Sequence, residues 1–190
     1  MTSIPERPSL IELVRDVGTL IGGVRIYRDA EITLRTFDPN SLRPTAKYVV
    51  TTNLDFVADM AAELHRSGID IFHLDELFEG SGYTIAPPIV EFSDGVPAIV
   101  DGIHRVHLAR ALGRTVSVVY IKGVDPNYPI ISTPVEWSDV IEYAVKPKES
   151  HLLRNVRPGI SDTSDGLKKY YRDLRRFGST GRRPSQHQLT

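Results

Sequence analysis

Pro97-Ala98-Ile99-Val100 is an apolar extended run that passes without a linker into Asp101-Gly102-Ile103-His104-Arg105, where helical spacing begins. So abrupt a change of period leaves few architectures open, because the strand and the helix after it must bury their apolar sides against one shared core. Upstream, Pro88-Ile89-Val90-Glu91-Phe92 and the turn Ser93-Asp94-Gly95 make this strand the second arm of a hairpin. Downstream, Ile103, Val106, Ala109 and Leu112 recur three apart until Gly113 stops the helix, and residues 116–121 form a buried strand. Hairpin, helix and strand together predict a mixed α/β (α+β) domain.

The flanks add further elements. Leu10, Leu13, Val14, Val17, Leu20 and Ile21 recur at helical steps from Ser9 until Gly22 and Gly23, which predicts an N-terminal helix within residues 1–23. Val24-Arg25-Ile26-Tyr27 and Ile32-Thr33-Leu34-Arg35 read as strands, and Asp38-Pro39-Asn40-Ser41 as a turn. Asn53 stands where an N-cap belongs for a helix bearing Val57, Met60, Ala61 and Leu64 on one face, with Gly68 as its stop. Residues 69–83 show no single period, which suggests a short helix within a loop. Thr133-Pro134-Val135-Glu136 has the form of a capping box and predicts a helix burying Trp137, Val140, Ile141 and Ala144. A last amphipathic helix carries Leu167, Tyr170, Tyr171 and Leu174. The expected division is an N-terminal helix (1–23), a central domain (24–124), a C-terminal helical extension (125–177) and a disordered tail (178–190).

Composition removes several function classes. The chain of 190 residues has no cysteine, which excludes disulfide scaffolds, thiolate metal sites and thiol nucleophiles. Its 23 Lys and Arg nearly balance 24 Asp and Glu, so any surface for phosphate backbone is local. No apolar run approaches the roughly 18 residues of a membrane span, since Glu12, Arg15 and Asp16 break the longest candidate. No export signal is recognisable, so the cytoplasm is the expected address and no membrane partner is expected.

The chemistry points to the strand–helix junction. Unpaired N–H groups and the positive end of the helix dipole converge there, which makes an anion site. His104 and Arg105 put two donors in the same first turn, although cations oppose the dipole unless an anion offsets them. The plainer reading is that Asp101 caps the helix, Gly102 makes the turn, and His104 and Arg105 are solvated.

The residues Pro87-Pro88-Ile89-Val90, the hairpin, Ile99-Val100-Asp101-Gly102-Ile103-His104-Arg105, residues 109–113 and the strand 116–121 resemble the ParB/sulfiredoxin-like domain family. Asp38-Pro39-Asn40-Ser41-Leu42-Arg43-Pro44-Thr45 resembles the opening segment of its free-serine kinase branch. The resemblance spans about residues 32–121. It implies a small mixed sheet with packed helices and a nucleoside di- or triphosphate (ATP, ADP or CTP) with Mg²⁺. It further implies phosphates held by Gly102, Ile103, His104 and Arg105, with Arg43 and Thr45 on the opposite wall. Within that picture a phosphoryl group is transferred, to a small hydroxyl acceptor, or hydrolysed; His104 donates to the moving phosphate, and Asp101 serves as base or metal ligand. Ile103 stands where sulfiredoxins carry their cysteine, which excludes that activity. The kinase branch has a glutamate after its Pro-Thr, whereas Ala46 and Lys47 follow here. ParB proteins instead bind and hydrolyse CTP to switch a DNA clamp, but no helix-turn-helix reader stands out.

Weaker signals remain. His104 and His107 share a helix face but lack a third metal ligand, and Asp70, Asp75, Glu76 and Glu79 form an acidic stretch that could meet Mg²⁺ or simply be solvated. Seven Lys and Arg against two Asp follow residue 164, interleaved with Tyr170, Tyr171 and Phe177. A basic helix over 165–177 supports the alternative function, a nucleotide-responsive adaptor contacting nucleic acid or protein without turnover.

Overall fold

The hairpin and the two strands that flank it in space set the frame. The computed structural model describes residues 8–147, 153–160 and 164–177, so the expected tail lies outside the described residues. In chain order the elements are α1 (Leu10–Arg15), β1 (Glu31–Phe37), β2 (Arg43–Pro44), β3 (Tyr48–Val50), α2 (Thr51–His65), β4 (Phe78–Gly80), β5 (Tyr83–Ile85), β6 (Ile89–Ser93), β7 (Val96–Asp101), α3 (Ile103–Ala111), β8 (Val116–Lys122), β9 (Ile141–Tyr143) and α4 (Ser164–Lys168). Five strands form a mixed sheet in the order β1-β8-β6-β7-β2. The pairs β1/β8 and β6/β7 are antiparallel, while β8/β6 and β7/β2 are parallel. Among the described residues no helix is long and apolar enough to cross a membrane.

Alternation along β8 explains why the sheet is covered on both faces. Val116, Val118 and Tyr120 face one way and pack with Val90 and Ile99 against Val57, Met60 and Leu64 of α2 and Val106 and Ala109 of α3. Val119 and Ile121 face the other way, with Ile32 and Ile89, against Leu10, Val14 and Val17 and against Leu174 and Phe177. Both chain ends therefore build the second core.

The turn between β6 and β7 follows its residues closely. Asp94 and Gly95 have φ of 55° and 80°, the left-handed pair that a tight two-residue hairpin requires. Further along, the register slips: Val90 pairs with Ile99 but Ile89 pairs with Asp101, leaving Val100 as a bulge just before the strand ends.

Several predicted elements differ. α1 stops at Arg15, whose guanidinium donates to the carbonyls of Arg28 and Ala30, and Leu20 and Ile21 are exposed. Residues 18–20 pair instead with the C-terminal segment: Leu20 N donates to the Tyr171 carbonyl and Asp173 N to that of Gly18. Residues 24–27 are turns with one bridge, Gly18 to Arg25, rather than a strand. α2 begins at Thr51, two residues before the predicted cap, and residues 69–83 hold no helix but turns and part of the β4/β5 hairpin.

The predicted helix after Pro134 is a single 3-10 turn (Trp137–Asp139) followed by β9, because residues 141–143 pair in parallel with β3. The predicted helix over 165–177 is likewise broken. α4 ends at Lys168, and Arg172 lies in extended chain, where its guanidinium reaches Glu91 at 2.8 Å through two nitrogens. A short 3-10 turn (Arg175–Phe177) closes the segment. The continuous basic face expected there does not form, since Arg172 is buried and Arg175 pairs with Asp173.

Candidate functional site

The bulge at Val100 and the positive φ of Gly102, +84°, deliver Asp101, Ile103, His104 and Arg105 to one cleft. Its volume is about 230 Å³, and its other wall comes from Ala46, Tyr48 of β3, Asn53, Val57 and Met60 of α2, and Ile85 of β5. Arg154 completes the lining. The N-terminal turns of α2 and α3 thus meet at one place. Neither helix has a side-chain cap bond, and neither carries an acidic residue in its first turn. Helix N-termini whose first turns hold no acidic residue suit an anion, with the Asp101 carboxyl just before the N-cap of α3 as the one negative group among the described lining residues.

Arg105 is 7% exposed, and its Nη1 is buried without a hydrogen-bond partner. Burial lowers its pKa to about 10 against the pull of Asp101, so it remains a cation at neutral pH. A buried, under-partnered guanidinium is costly unless a ligand completes it. The solvated arginine of the plainer reading is therefore not what the fold provides.

Asp101 does not cap α3; Gly102 occupies the N-cap position. Burial raises the Asp101 carboxyl to about 6, with the Arg105 charge and the Gly102 N–H working the other way. His104 is lowered to about 4 by burial and by His107, so it is neutral near pH 7. Its Nε2 accepts the N–H of Val50, 3.1 Å away, which places its proton on Nδ1. One imidazole thereby ties the start of α3 to the start of α2.

These two shifts act on stability with opposite signs. Asp101, raised from 3.8, favours the fold below about pH 4, and that contribution is lost as pH rises through about 6. His104, lowered from 6.5, contributes stability above about pH 6.5 that is lost as pH falls through about 4. Between these limits they offset one another in the native protein. In Asp101→Asn the carboxyl part is removed while the histidine part is common to both proteins, so stability relative to wild type should climb between about pH 4 and 6 in urea melts at stepped pH. A difference profile that stays flat over that window would contradict the burial of Asp101.

Arg43 and Thr45 are not brought to the cleft. Thr45 is buried with its hydroxyl donating to the Ile99 carbonyl at 2.7 Å, and Arg43 pairs with Glu136 at 3.0 Å and donates to the Asn40 carbonyl. The parallel pairing of β2 on β7 holds both behind the wall they were expected to line. Ala46, the first of the two residues that follow Pro44-Thr45, does line the cleft, where Asp101 is the single carboxyl among the described residues.

The metal signals are spoken for. Asp70 bonds His73 and Arg114, His107 Nε2 meets Glu142 at 3.0 Å, and among the described residues no group of three His, Asp or Glu could hold an ion.

A model of the ParB CE domain matches residues 9–141, well over half of the chain. The chain belongs to the ParB CE domain family. No curated protein and no solved structure matches it. The family match takes in α1 and reaches the first residue of β9, so this ParB CE domain extends beyond the segment in which the resemblance was visible. Tyr48 and Asn53 of this ParB CE domain, and Arg154 beyond it, are cleft residues that sequence reading missed. In the sequence Asn53 reads only as a helix cap, and Arg154 sits in a polar stretch with no periodic signal.

Proposed function

We propose that this ParB-like protein binds a nucleoside di- or triphosphate, with its phosphates in the cleft between the first turns of α2 and α3. The observation that carries this reading is Arg105, a buried guanidinium on the cleft wall with one nitrogen unpaired. Two helix N-termini without acidic residues add donors and positive potential at the same spot. In the proposed site Gly102 and Ile103 present backbone N–H groups, His104 donates through Nδ1, and Arg105 supplies the charge. Mg²⁺ arriving with the phosphates would find, among the described residues, one protein carboxyl, Asp101.

Asp101 also decides whether phosphoryl chemistry follows binding. With a pKa of about 6 it is mostly ionised at pH 7 yet basic enough to take the proton of an attacking hydroxyl or water. The oxygen then bonds to phosphorus as the bond to the leaving phosphate oxygen breaks, and that oxygen keeps the electron pair. The second reading, a nucleotide-responsive binding module without turnover, is favoured by Ala46 and Lys47, which put no carboxyl after Pro44-Thr45, where the kinase branch has one.

Calorimetric titration with ATP, ADP, CTP and GTP in Mg²⁺, with phosphate release followed in the same samples, tests both. Wild type should bind at least one of them. Arg105→Ala should weaken that binding by about a hundredfold or more, as removal of a buried charge-assisted contact implies. Asp101→Asn should keep binding and lose release. Binding without release in wild type selects the adaptor, and the absence of binding at millimolar nucleotide sinks the proposal.

A further inference from the structure

Arg154 lies beyond residues 9–141, the part of the chain that the family model covers, yet it lines the same cleft as Arg105. Its backbone neighbours are pinned to the domain. Lys47 N donates to the Leu153 carbonyl at 2.8 Å, Thr133 N to that of Asn155 at 2.8 Å, and Arg157 N to that of Ile131 at 2.9 Å. The guanidinium sits 6.0 Å over the ring of Tyr171, a residue whose carbonyl accepts from Leu20 N. Among the described residues no carboxylate pairs with Arg154, whereas Arg157 and Arg172 in the same segment each have one.

Among the described residues the cleft consequently holds two arginines and one carboxyl, with a neutral histidine between two helix N-termini. A cation left without a counter-ion at such a place is suited to an anion with several negative oxygens. We propose that Arg154 is a second phosphate-holding residue, carried to the cleft by the segment after residue 141, and that a bound polyphosphate fastens this segment to the domain. Tyr171 is its positioning residue. The proposal rests on the reading that phosphates occupy the cleft.

The test compares wild type, Arg154→Gln, Arg154→Lys, Tyr171→Leu and Arg105→Ala as full chains. ATP, CTP and inorganic tripolyphosphate are titrated at several salt concentrations, with the Tm of each variant measured without ligand. Arg154→Gln should weaken polyphosphate binding at least about tenfold and flatten its salt dependence, with Tm unchanged. Arg154→Lys should recover part of the loss, and Tyr171→Leu should lose less than Arg154→Gln. Polyphosphate should slow proteolysis between residues 153 and 160 in wild type but not in Arg154→Gln.

If Arg105→Ala loses binding while Arg154→Gln binds as wild type does, the role of Arg154 is overturned and the cleft reading stands. A lower Tm in place of the altered salt dependence would make Arg154 a structural residue and overturn its role as well. Failure of wild type to bind any of the three probes removes the cleft reading, and this proposal with it.

Discussion

Replacing Arg172 with methionine should destabilise the protein by about 3–5 kcal/mol, the range expected when one partner of a buried ion pair is removed. Tyr27, Glu91 and Arg172 are 0%, 2% and 8% exposed, respectively. The Tyr27 hydroxyl donates to Glu91 Oε1 at 2.5 Å, and Arg172 takes both carboxylate oxygens at 2.8 Å. Its remaining N–H groups reach the carbonyls of Tyr128, Pro129 and Tyr170. Burial works against the Arg172 charge, but Glu91 and Tyr27 hold its pKa above the ordinary value. Without the guanidinium, a carboxylate in the middle of the sheet loses its counter-ion and three loop carbonyls lose their donor.

The double replacement Glu91→Leu with Arg172→Met removes both charges and should recover much of that loss, because the desolvation cost goes with the pair. Urea unfolding of the two variants measures the difference. A single Arg172→Met variant within about 1 kcal/mol of wild type would show that the triad does not hold the C-terminal segment.

Gly102→Ala should cost about 3 kcal/mol or more, from two sources at one atom. Its φ of +84° is unfavourable for any side chain, and an added Cβ would stand 2.8 Å from the Pro88 Cβ and 3.0 Å from its Cα. Pro88 cannot retreat easily, since its carbonyl accepts the N–H of Val119 at 2.9 Å, inside the sheet. Gly95 is the control. It has a φ of +80° but nothing within 4 Å of an added Cβ, so Gly95→Ala should cost only about 1 kcal/mol. Equal losses in the two variants would show that the Pro88 contact is unimportant. Because Gly102 opens α3, its replacement should also weaken the proposed phosphate site.

The elements legible in the sequence are those whose cause is local. Asp94-Gly95 requires left-handed backbone, so the β6/β7 hairpin could be read directly, and the same holds for Gly102 between β7 and α3. The run Val116 to Ile121 of β8, apolar but for Ser117, signalled a buried strand, and both faces of it are covered. From these, the α/β class and the strand–turn–helix junction followed without any knowledge of distant contacts.

Tertiary structure decided the rest, because residues far apart in the chain outweighed local preference. A proper capping box precedes residues 137–144, yet 141–143 became β9 once β3 offered a strand to pair with. The helical spacing of Leu167, Tyr170, Tyr171 and Leu174 gave way to extended chain, since buried Glu91 needs Arg172, 81 residues away. The cleft is a product of the same kind of pairing: β2 on β7 turns Thr45 inward, and the stretch after residue 141 returns to bring Arg154 to the cleft that Arg105 also lines. Local backbone chemistry thus determined the turn from β7 into α3, whereas which side chains surround it depended on hydrogen bonds and burial between segments that no short window contains.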